Sequence, residues 1–324
     1  MDKIIKRIGL LTSGGDCSGM NATIRSIVRC ALYYDIQPIG FFRGYTGLIQ
    51  NDSKELSRRS VSNIVGRGGT ILKTARCPEF IKKEGQKKAV EAIKKNKIDG
   101  MIIIGGDGSF RGAHLLSENW GIQTIGVPAT IDNDIKGTDI SIGSFTAVNV
   151  ALEAIDKIRD TATSLERIFV VEVMGRSKGY IAMLVGLAGG AEDVVLPELE
   201  FSIDKMCDDI TKGRRKGKIS WIIVVAEGAA KANDVASGIT ERTGYETREV
   251  VLGHIQRGGT PTAFDRILAS RFGAYAVDLL RNGQSDKTVA IEADKLKAVD
   301  LDFATQPVQG INTELYDLMK ILAT

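Results

Sequence analysis

The chain has 324 residues, enough for two modest domains or one large α/β domain, and 43% of them are hydrophobic, so a sizeable core can be buried. Charged residues make up 26%, the formal charge of +3 is too small and dispersed for a nucleic-acid footprint, and no apolar run approaches the roughly 20 residues needed to cross a bilayer. Four cysteines (Cys17, Cys30, Cys77 and Cys207) without a CxxC pair, beside two histidines, argue against a zinc cluster or a disulfide framework.

The basic N-terminus precedes an apolar stretch of only about five residues that runs into a glycine turn, so Arg7–Leu11 is predicted as a first strand rather than a secretion signal. The expected compartment is the cytoplasm. The strand ends in TSGGD, Thr12–Asp16, and a helix is predicted over Asn21–Tyr33. Two glycines at a strand-to-helix turn present backbone N–H groups to an anion, aided by the helix N-terminus; a tight turn with no ligand is the other reading of these residues. The motif is neither a Walker A loop nor GxGxxG. A strand at Pro38–Phe42 and a helix at Gly85–Lys95 lead to the strand Gly100–Ile104, apolar throughout, as parallel strands buried on both faces are. It opens into IIIGGDGSF, Ile102–Phe110, and a helix over Ser109–Leu116. Here Asp107 sits between glycines. A carboxylate at a phosphate-binding turn repels the anion unless a cation lies between them, and Mg²⁺ held by a carboxylate plus phosphates is the natural mediator. Asp107 or Ser109 as a cap of the following helix is the competing reading.

A strand at Thr124–Val127 leads into VPATIDNDIKGTD, Val127–Asp139, whose three aspartates cluster with Thr130. Phosphoryl transfer needs a carboxylate to orient or deprotonate the acceptor hydroxyl; an unliganded Asx turn uses the same residue types. Beyond it, helices are predicted at Gly143–Arg159, Gly179–Leu187, Ile203–Gly213 and Ala263–Leu280, with strands at Ile168–Val173, Asp193–Leu196, Ile219–Ala226 and Val289–Glu292. The βαβ alternation gives an α/β class with two mainly parallel sheets flanked by helices. The 36 glycines, against 6 prolines, gather in short loops after apolar runs, where such sheets bind ligands. No repeat or low-complexity linker separates two halves, and Gly137–Gly143 is the expected first crossing. Four arginines, Arg167, Arg176, Arg248 and Arg257, stand at or near the ends of apolar segments, where a sugar phosphate needs planar donors; any one alone is more often a solvated charge. His254, flanked by glycine, Gln256 and Arg257, is poorly placed for a core residue. His114, within a helix, reads as structural, and Cys77 as a lining residue rather than a nucleophile.

TSGGD, GGDGS, PATIDNDIKGTD, VVEVMGR and VLGHIQRGG follow one another in this order, and the set resembles the signature of the phosphofructokinases over Arg7 to about Arg281. GGDG alone also fits NAD and diacylglycerol kinases; the ordered set is far more specific. The resemblance implies two similar lobes, each a Rossmann-like three-layer sandwich: residues 1–142 with 257–304 for ATP, and 143–256 with 305–324 for the sugar phosphate. It implies a glycolytic kinase that moves the γ-phosphoryl group of Mg-ATP to the 1-hydroxyl of fructose 6-phosphate, under allosteric control. By the same resemblance Gly15, Arg76, Cys77, Gly106, Asp107, Gly108 and Ser109 would bind ATP, with Asp107 on Mg²⁺. Asp132 would be the catalytic base, supported by Arg176 and Thr130, with Ile131 lining the same site. Met174, Gly175, Arg176, Glu227, His254, Ile255, Gln256 and Arg257 would hold fructose 6-phosphate. Arg167 and Arg248 resemble residues that reach the sugar phosphate of a neighbouring subunit in a homotetramer. Arg25, Arg29, Arg58, Arg159, Gly190, Glu192, Lys216 and Lys218 resemble an effector site for ADP or phosphoenolpyruvate between subunits, Glu192 being suited to the nucleotide's Mg²⁺. Scattered surface charges are the alternative there.

Some positions depart from the family's pattern. Cys17-Ser18 stands where many members have Ala-Pro, a change expected to alter only the shape of the turn. Ala129 replaces a common glycine, and its methyl is expected to crowd the phosphates slightly; Arg59 and Ser220 differ near the effector residues. Pyrophosphate-dependent members usually carry Asp in place of Gly108 and Lys in place of Ala129, so small neutral residues at both favour ATP. A NAD or lipid kinase would not require the MGR and GHIQRGG segments, and a regulatory subunit without chemistry would be expected to lack Asp107, Asp132 or Arg176.

Overall fold

In the computed structural model, which describes residues 5–308 and 310–323, the chain divides into two compact units. One is made of the described residues up to Thr146 and of Arg257–Val308; the other of Ala147–Gln256 and the described residues after Val308. In chain order the elements are β1 (Arg7–Thr12), α1 (Met20–Tyr33), β2 (Gln37–Phe41), α2 (Gly44–Gln50), β3 (Ser53–Glu55), α3 (Lys83–Lys95), β4 (Gly100–Gly105), α4 (Asp107–Trp120) and β5 (Gln123–Pro128). Then come α5 (Ser144–Leu165), β6 (Ile168–Val173), α6 (Tyr180–Ala188), β7 (Asp193–Val195), α7 (Ile203–Arg215), β8 (Trp221–Ala226), α8 (Ala232–Thr243) and β9 (Thr247–Val251). The chain ends with α9 (Ala263–Arg281), β10 (Lys287–Glu292), β11 (Lys295–Asp300), α10 (Leu301–Ala304) and α11 (Thr313–Leu322). Short 3₁₀ turns lie at Pro78–Ile81 and Gly253–Arg257.

Among the described residues of the first unit, seven strands form one sheet in the order β11-β10-β5-β4-β1-β2-β3. The five inner strands run parallel, and antiparallel β3 and β11 close the two edges. All six residues of β4 are buried, as expected of a strand covered by helices on both faces. Leu11, Ile39, Ile103, Phe110 and Leu116 belong to the core on one face. On the other, α1 and α9 pack closely enough that Ser26 Oγ donates to Ser270 O at 2.7 Å.

The second unit has a four-stranded sheet, order β7-β8-β6-β9, parallel throughout. Its core joins Ile168 and Val170 with Ile223, Val225, Met206, Ile210 and Ile239. Both units are thus mainly parallel sheets flanked by helices, the class expected. Seven elements lie outside the predicted set: α2, β3, α8, β9, β11, α10 and α11. The edge strands β3, β9 and β11 lack the continuous apolar runs that mark the inner ones, because they are partly solvated.

Candidate active site

In the first unit, β1 lies beside β4, and the chain leaves β1 toward β2 on one side and β4 toward β5 on the other. Loops that diverge in this way open a crevice at the carboxyl ends of the strands, where ligands of such sheets sit. The loops are stitched together by backbone: Ser13 N–H donates to Ile104 O at 3.0 Å and Ala129 N–H to Gly105 O at 3.0 Å. A β-carbon on Gly105 would stand 2.5 Å from Ser13 O and from Ser109 Oγ, so only glycine permits this approach. Gly106 lies beside Thr130. TSGGD, GGDGS and the Thr130–Asp132 segment therefore form one neighbourhood.

Asp107 is the first residue of α4, and Gly106 holds the N-cap position with no side-chain cap bond. Neither Asp107 nor Ser109 holds the N-cap position itself, and Asp107 lies in the first turn, where a negative charge suits the helix start. The Asp107 carboxylate lies 3.6 Å from Arg111, and a β-carbon on Gly108 would meet nothing within 4 Å. Ser109 is buried, and its carbonyl accepts the Tyr45 hydroxyl at 2.6 Å. Tyr45 is a residue the sequence does not point to, because its helix, GYTGLIQ, carries two glycines and shows little helical period. Its ring stacks on Phe80 at 4.0 Å, in the turn that follows Cys77. Cys77 is half-buried against the same core, and Arg76 is exposed.

The loop after β5 closes on itself through the bridge between Ala129 and Ile142 and the bond from Ile142 N–H to Pro128 O at 3.0 Å. Within it, Asp132 N–H donates to Thr130 Oγ1 at 3.2 Å, Ser141 Oγ to Thr130 O at 2.7 Å, and Ser141 N–H to Asn133 Oδ1 at 2.8 Å. Asp132 is 7% exposed. Asp139 serves the frame of the unit instead, since its carboxylate accepts Ala293 N–H at 2.9 Å and so anchors the turn between β10 and β11. Ile131 is fully buried, so it belongs to the core of the unit rather than to the lining expected. Ala129 is 1% exposed, so its methyl is packed inside the unit rather than presented to phosphates, contrary to expectation.

Arg257 belongs to this unit. Its Nη1 donates to Asp16 O at 3.1 Å and lies so close to Gly15 that a β-carbon there would fall 2.2 Å from it. Ser18 Oγ lies 2.9 Å from Gly258 O and 2.8 Å from Gly259 O, while Cys17 Sγ donates to Ile142 O at 3.2 Å. Burial above all, together with nearby Asp265 and Asp16, pushes the Cys17 thiol well above its ordinary pKa, so it stays a donor. The Cys17-Ser18 pair thus ties three loops together, more than the change of turn shape expected.

In the second unit, Met174–Arg176 follow β6 and Glu227 follows the adjacent β8. Glu227 Oε1 accepts Gly175 N–H at 3.3 Å and Arg176 N–H at 2.9 Å. Gly175 has φ +147°, and a β-carbon on it would strike Lys178 O at 2.3 Å; the exposed Arg176 is left-handed at φ +56°. His254 and Ile255 are exposed on the turn after β9, at the same end of the sheet. Gln256 corrects the expectation of a sugar contact: it is 1% exposed, accepting Met174 N–H at 3.2 Å and donating to Gly253 O at 3.0 Å, so it acts as a strut. Arg167, just before β6, and Arg248, near the start of β9, both pair with Glu246. They stand at the amino end of this parallel sheet, opposite Glu227 and His254.

Of the effector candidates, Arg25 and Arg29 on α1 and Arg58 after β3 belong to the first unit, the other five to the second. Glu192 Oε1 lies 3.8 Å from Arg159 and 3.3 Å from Lys218, and its Oε2 accepts Ile222 N–H at 2.6 Å. Arg159 also donates to the carbonyls of Gly189 and Gly190, at 2.6 and 2.7 Å. Both Glu192 oxygens are engaged by the protein, which leaves them poorly suited to the Mg²⁺ expected there. Lys216 is exposed after α7. Among the described residues no group of three or more His, Cys, Asp or Glu is arranged to hold a metal, and no helix is long and apolar enough to cross a membrane.

The phosphofructokinase family profile matches residues 7–280. An ATP-dependent 6-phosphofructokinase of Thermoanaerobacter sp. (strain X514) is 52% identical over 98% of this chain and 100% of its own length. One from Halalkalibacterium halodurans is 54% identical over 98% of this chain and 100% of its own length. Among solved structures, phosphofructokinase from Saccharomyces cerevisiae superposes with a TM-score of 0.89 at 33% identity, over 93% of this chain but 45% of the yeast chain. A pyrophosphate-dependent phosphofructokinase from Marinobacter aquaeolei, at 23% identity over 98% of this chain and 92% of its own, shares the fold with a TM-score of 0.84.

Proposed function

The chain belongs to the phosphofructokinase family, and on that premise we propose that it transfers the γ-phosphoryl group of ATP to the 1-hydroxyl of fructose 6-phosphate, releasing ADP. The observation that carries this reading is the junction of three loops beside β1, β4 and β5, where glycine backbone, Asp107 and the Thr130–Asp132 segment come together. Glycine turns at a helix N-terminus suit a polyphosphate, and Gly15, Arg76, Cys77 and Gly106–Ser109 are assigned to ATP.

Asp107 fits Mg²⁺: it is a hard oxygen donor at an open glycine turn, and a single carboxylate plus phosphate oxygens is how this ion is commonly held. Bound there, Mg²⁺ would neutralise charge on the phosphates. Asp132 orients the 1-hydroxyl and takes its proton as the oxygen bonds to the γ-phosphorus and the bond to the ADP oxygen breaks. Thr130 holds the Asp132 backbone, and Arg176 offsets charge on the transferred group. Glu227 keeps the Met174–Arg176 loop in its left-handed form, so that Met174, Gly175, Arg176 and His254 can receive the sugar, with Arg257 on its phosphate.

The placing of Arg167 and Arg248 at the far end of their sheet supports a role toward the sugar phosphate of a second copy, within a homotetramer. A purely monomeric active species in light scattering would remove that part. We further assign Arg25, Arg29, Arg58, Arg159, Gly190, Lys216 and Lys218 to an effector anion such as ADP or phosphoenolpyruvate, and the enzyme to the cytoplasm. Titrating both ligands at sub-saturating fructose 6-phosphate tests the effector role, and no response to either contradicts it. For the reaction itself, phosphorus NMR of the chain with Mg-ATP and fructose 6-phosphate should show fructose 1,6-bisphosphate and ADP; ATP hydrolysis without a new sugar phosphate would overturn the reading.

A further inference from the structure

Asp265 is a carboxylate with no solvent exposure, and the donors to its two oxygens are two backbone N–H groups and two threonine hydroxyls. The phosphoryl transfer assigns it no part. It lies where α5 and α9 begin, among residues of the first unit. At the third position of α9, its own N–H donates to the N-cap Thr262 Oγ1 at 3.3 Å. Its side chain turns back only weakly on α9, Oδ2 accepting the Thr262 hydroxyl at 3.5 Å. Oδ1 accepts Gly143 N–H at 2.8 Å, and Oδ2 accepts Thr146 N–H at 2.8 Å and the Thr146 hydroxyl at 2.5 Å. Thr146 answers in kind, its Oγ1 accepting Thr262 N–H at 3.1 Å. Each helix start thus caps the other with the N–H groups that a helix leaves without internal partners. Burial pushes the Asp265 pKa up, and the bonds from Thr146, Gly143 and Thr262 pull against that. Two helix N-termini add a field that favours the anion.

Gly143 immediately follows Ile142, the residue at which the Thr130–Asp132 loop closes on Ala129. The same point is pressed by Cys17, whose β-carbon lies 2.6 Å from where one on Gly143 would stand. We propose that Asp265 is a positioning residue for phosphoryl transfer: it fixes the closing point of the Asp132 loop, and through it the placement of the base. This inference rests on the assignment of Asp132 as base.

Asparagine is the informative replacement, because it keeps the shape but sets an NH₂ group against one of the N–H donors now facing a carboxylate oxygen. In Asp265→Asn, kcat should fall by about 10-fold to 100-fold, the scale of a small misplacement of a reacting group, with both KM values moving less than about 3-fold. Hydrogen exchange of the 129–143 segment should quicken in the same variant, while the segment around β6 and β8 stays as it was. Thr146→Val, which loses only the hydroxyl, should show a smaller effect in the same direction, and Thr146→Ser should restore the parent's kcat. If Asp265→Asn fails to fold, the two Thr146 variants decide. A folded Asp265→Asn with unchanged kcat and unchanged exchange overturns the proposal, as does Thr146→Val matching the parent in both. Quickened exchange in a chain whose parent shows no phosphofructokinase activity would keep the clamp and remove the reaction assigned to it.

Discussion

Asp132 is nearly buried, and its backbone N–H is held by Thr130 Oγ1, so a serine at this position keeps that bond while losing the carboxylate. Asp132→Ser is expected to lower kcat by roughly 10²–10⁴-fold, the scale of a lost general base, with much smaller changes in fructose 6-phosphate binding. Steady-state kinetics with product detection check this, and a kcat within a few-fold of the parent would show that Asp132 is not the base. Asp107 and Asp132 stand out in the sequence because each lies in a polar motif directly after an apolar strand, within an ordered set that resembles a family signature. Gln256 and the Cys17-Ser18 pair are not legible in that way. The same polar atoms serve a ligand or a neighbouring carbonyl, and only the fold shows that Gln256 braces Met174 and that Ser18 reaches the carbonyls of Gly258 and Gly259.

At the scale of the elements, α4 is held at its start and at its middle. Its start carries the GGDGS turn, and at its middle His114 Nδ1 lies 2.9 Å from Asp286, just before β10. Burial lowers the His114 pKa, but the bond to Asp286 and the charges of Asp286, Glu118 and Asp302 outweigh it, so the folded value is raised. A raised folded value means that the contribution to stability is fully present below the unfolded pKa of about 6.5 and is lost as pH rises through the folded value. The denaturant midpoint of the parent should therefore exceed that of His114→Gln most at about pH 6, the gap narrowing by about pH 9. A gap that stays constant or widens with pH would contradict this pairing. The inner strands are readable because a strand covered on both faces must be apolar along its length. Strand β9, TREVV, shows solvent three of its five side chains, and α2 needs Gly47 where a β-carbon would fall 1.6 Å from Phe42 O. Such elements are specified by their neighbours rather than by a periodic pattern, which is why sequence passes over them.

At the scale of the whole molecule, class and reaction are carried by the order of five motifs along the chain, and the assignment of individual residues to ATP, sugar and effector rests on the same resemblance. The central claim is that ATP, and not pyrophosphate, phosphorylates fructose 6-phosphate. Gly108 is the position that bears most on it: a β-carbon there meets nothing, so an aspartate can be introduced without disturbing the fold and would act only on what occupies the turn. The decisive measurement is kcat/KM with each donor, at saturating fructose 6-phosphate and Mg²⁺, for the parent and for Gly108→Asp. The parent should turn over robustly with ATP and negligibly with pyrophosphate, and Gly108→Asp should lose ATP use while keeping its unfolding midpoint. Robust turnover with pyrophosphate and none with ATP would contradict the account.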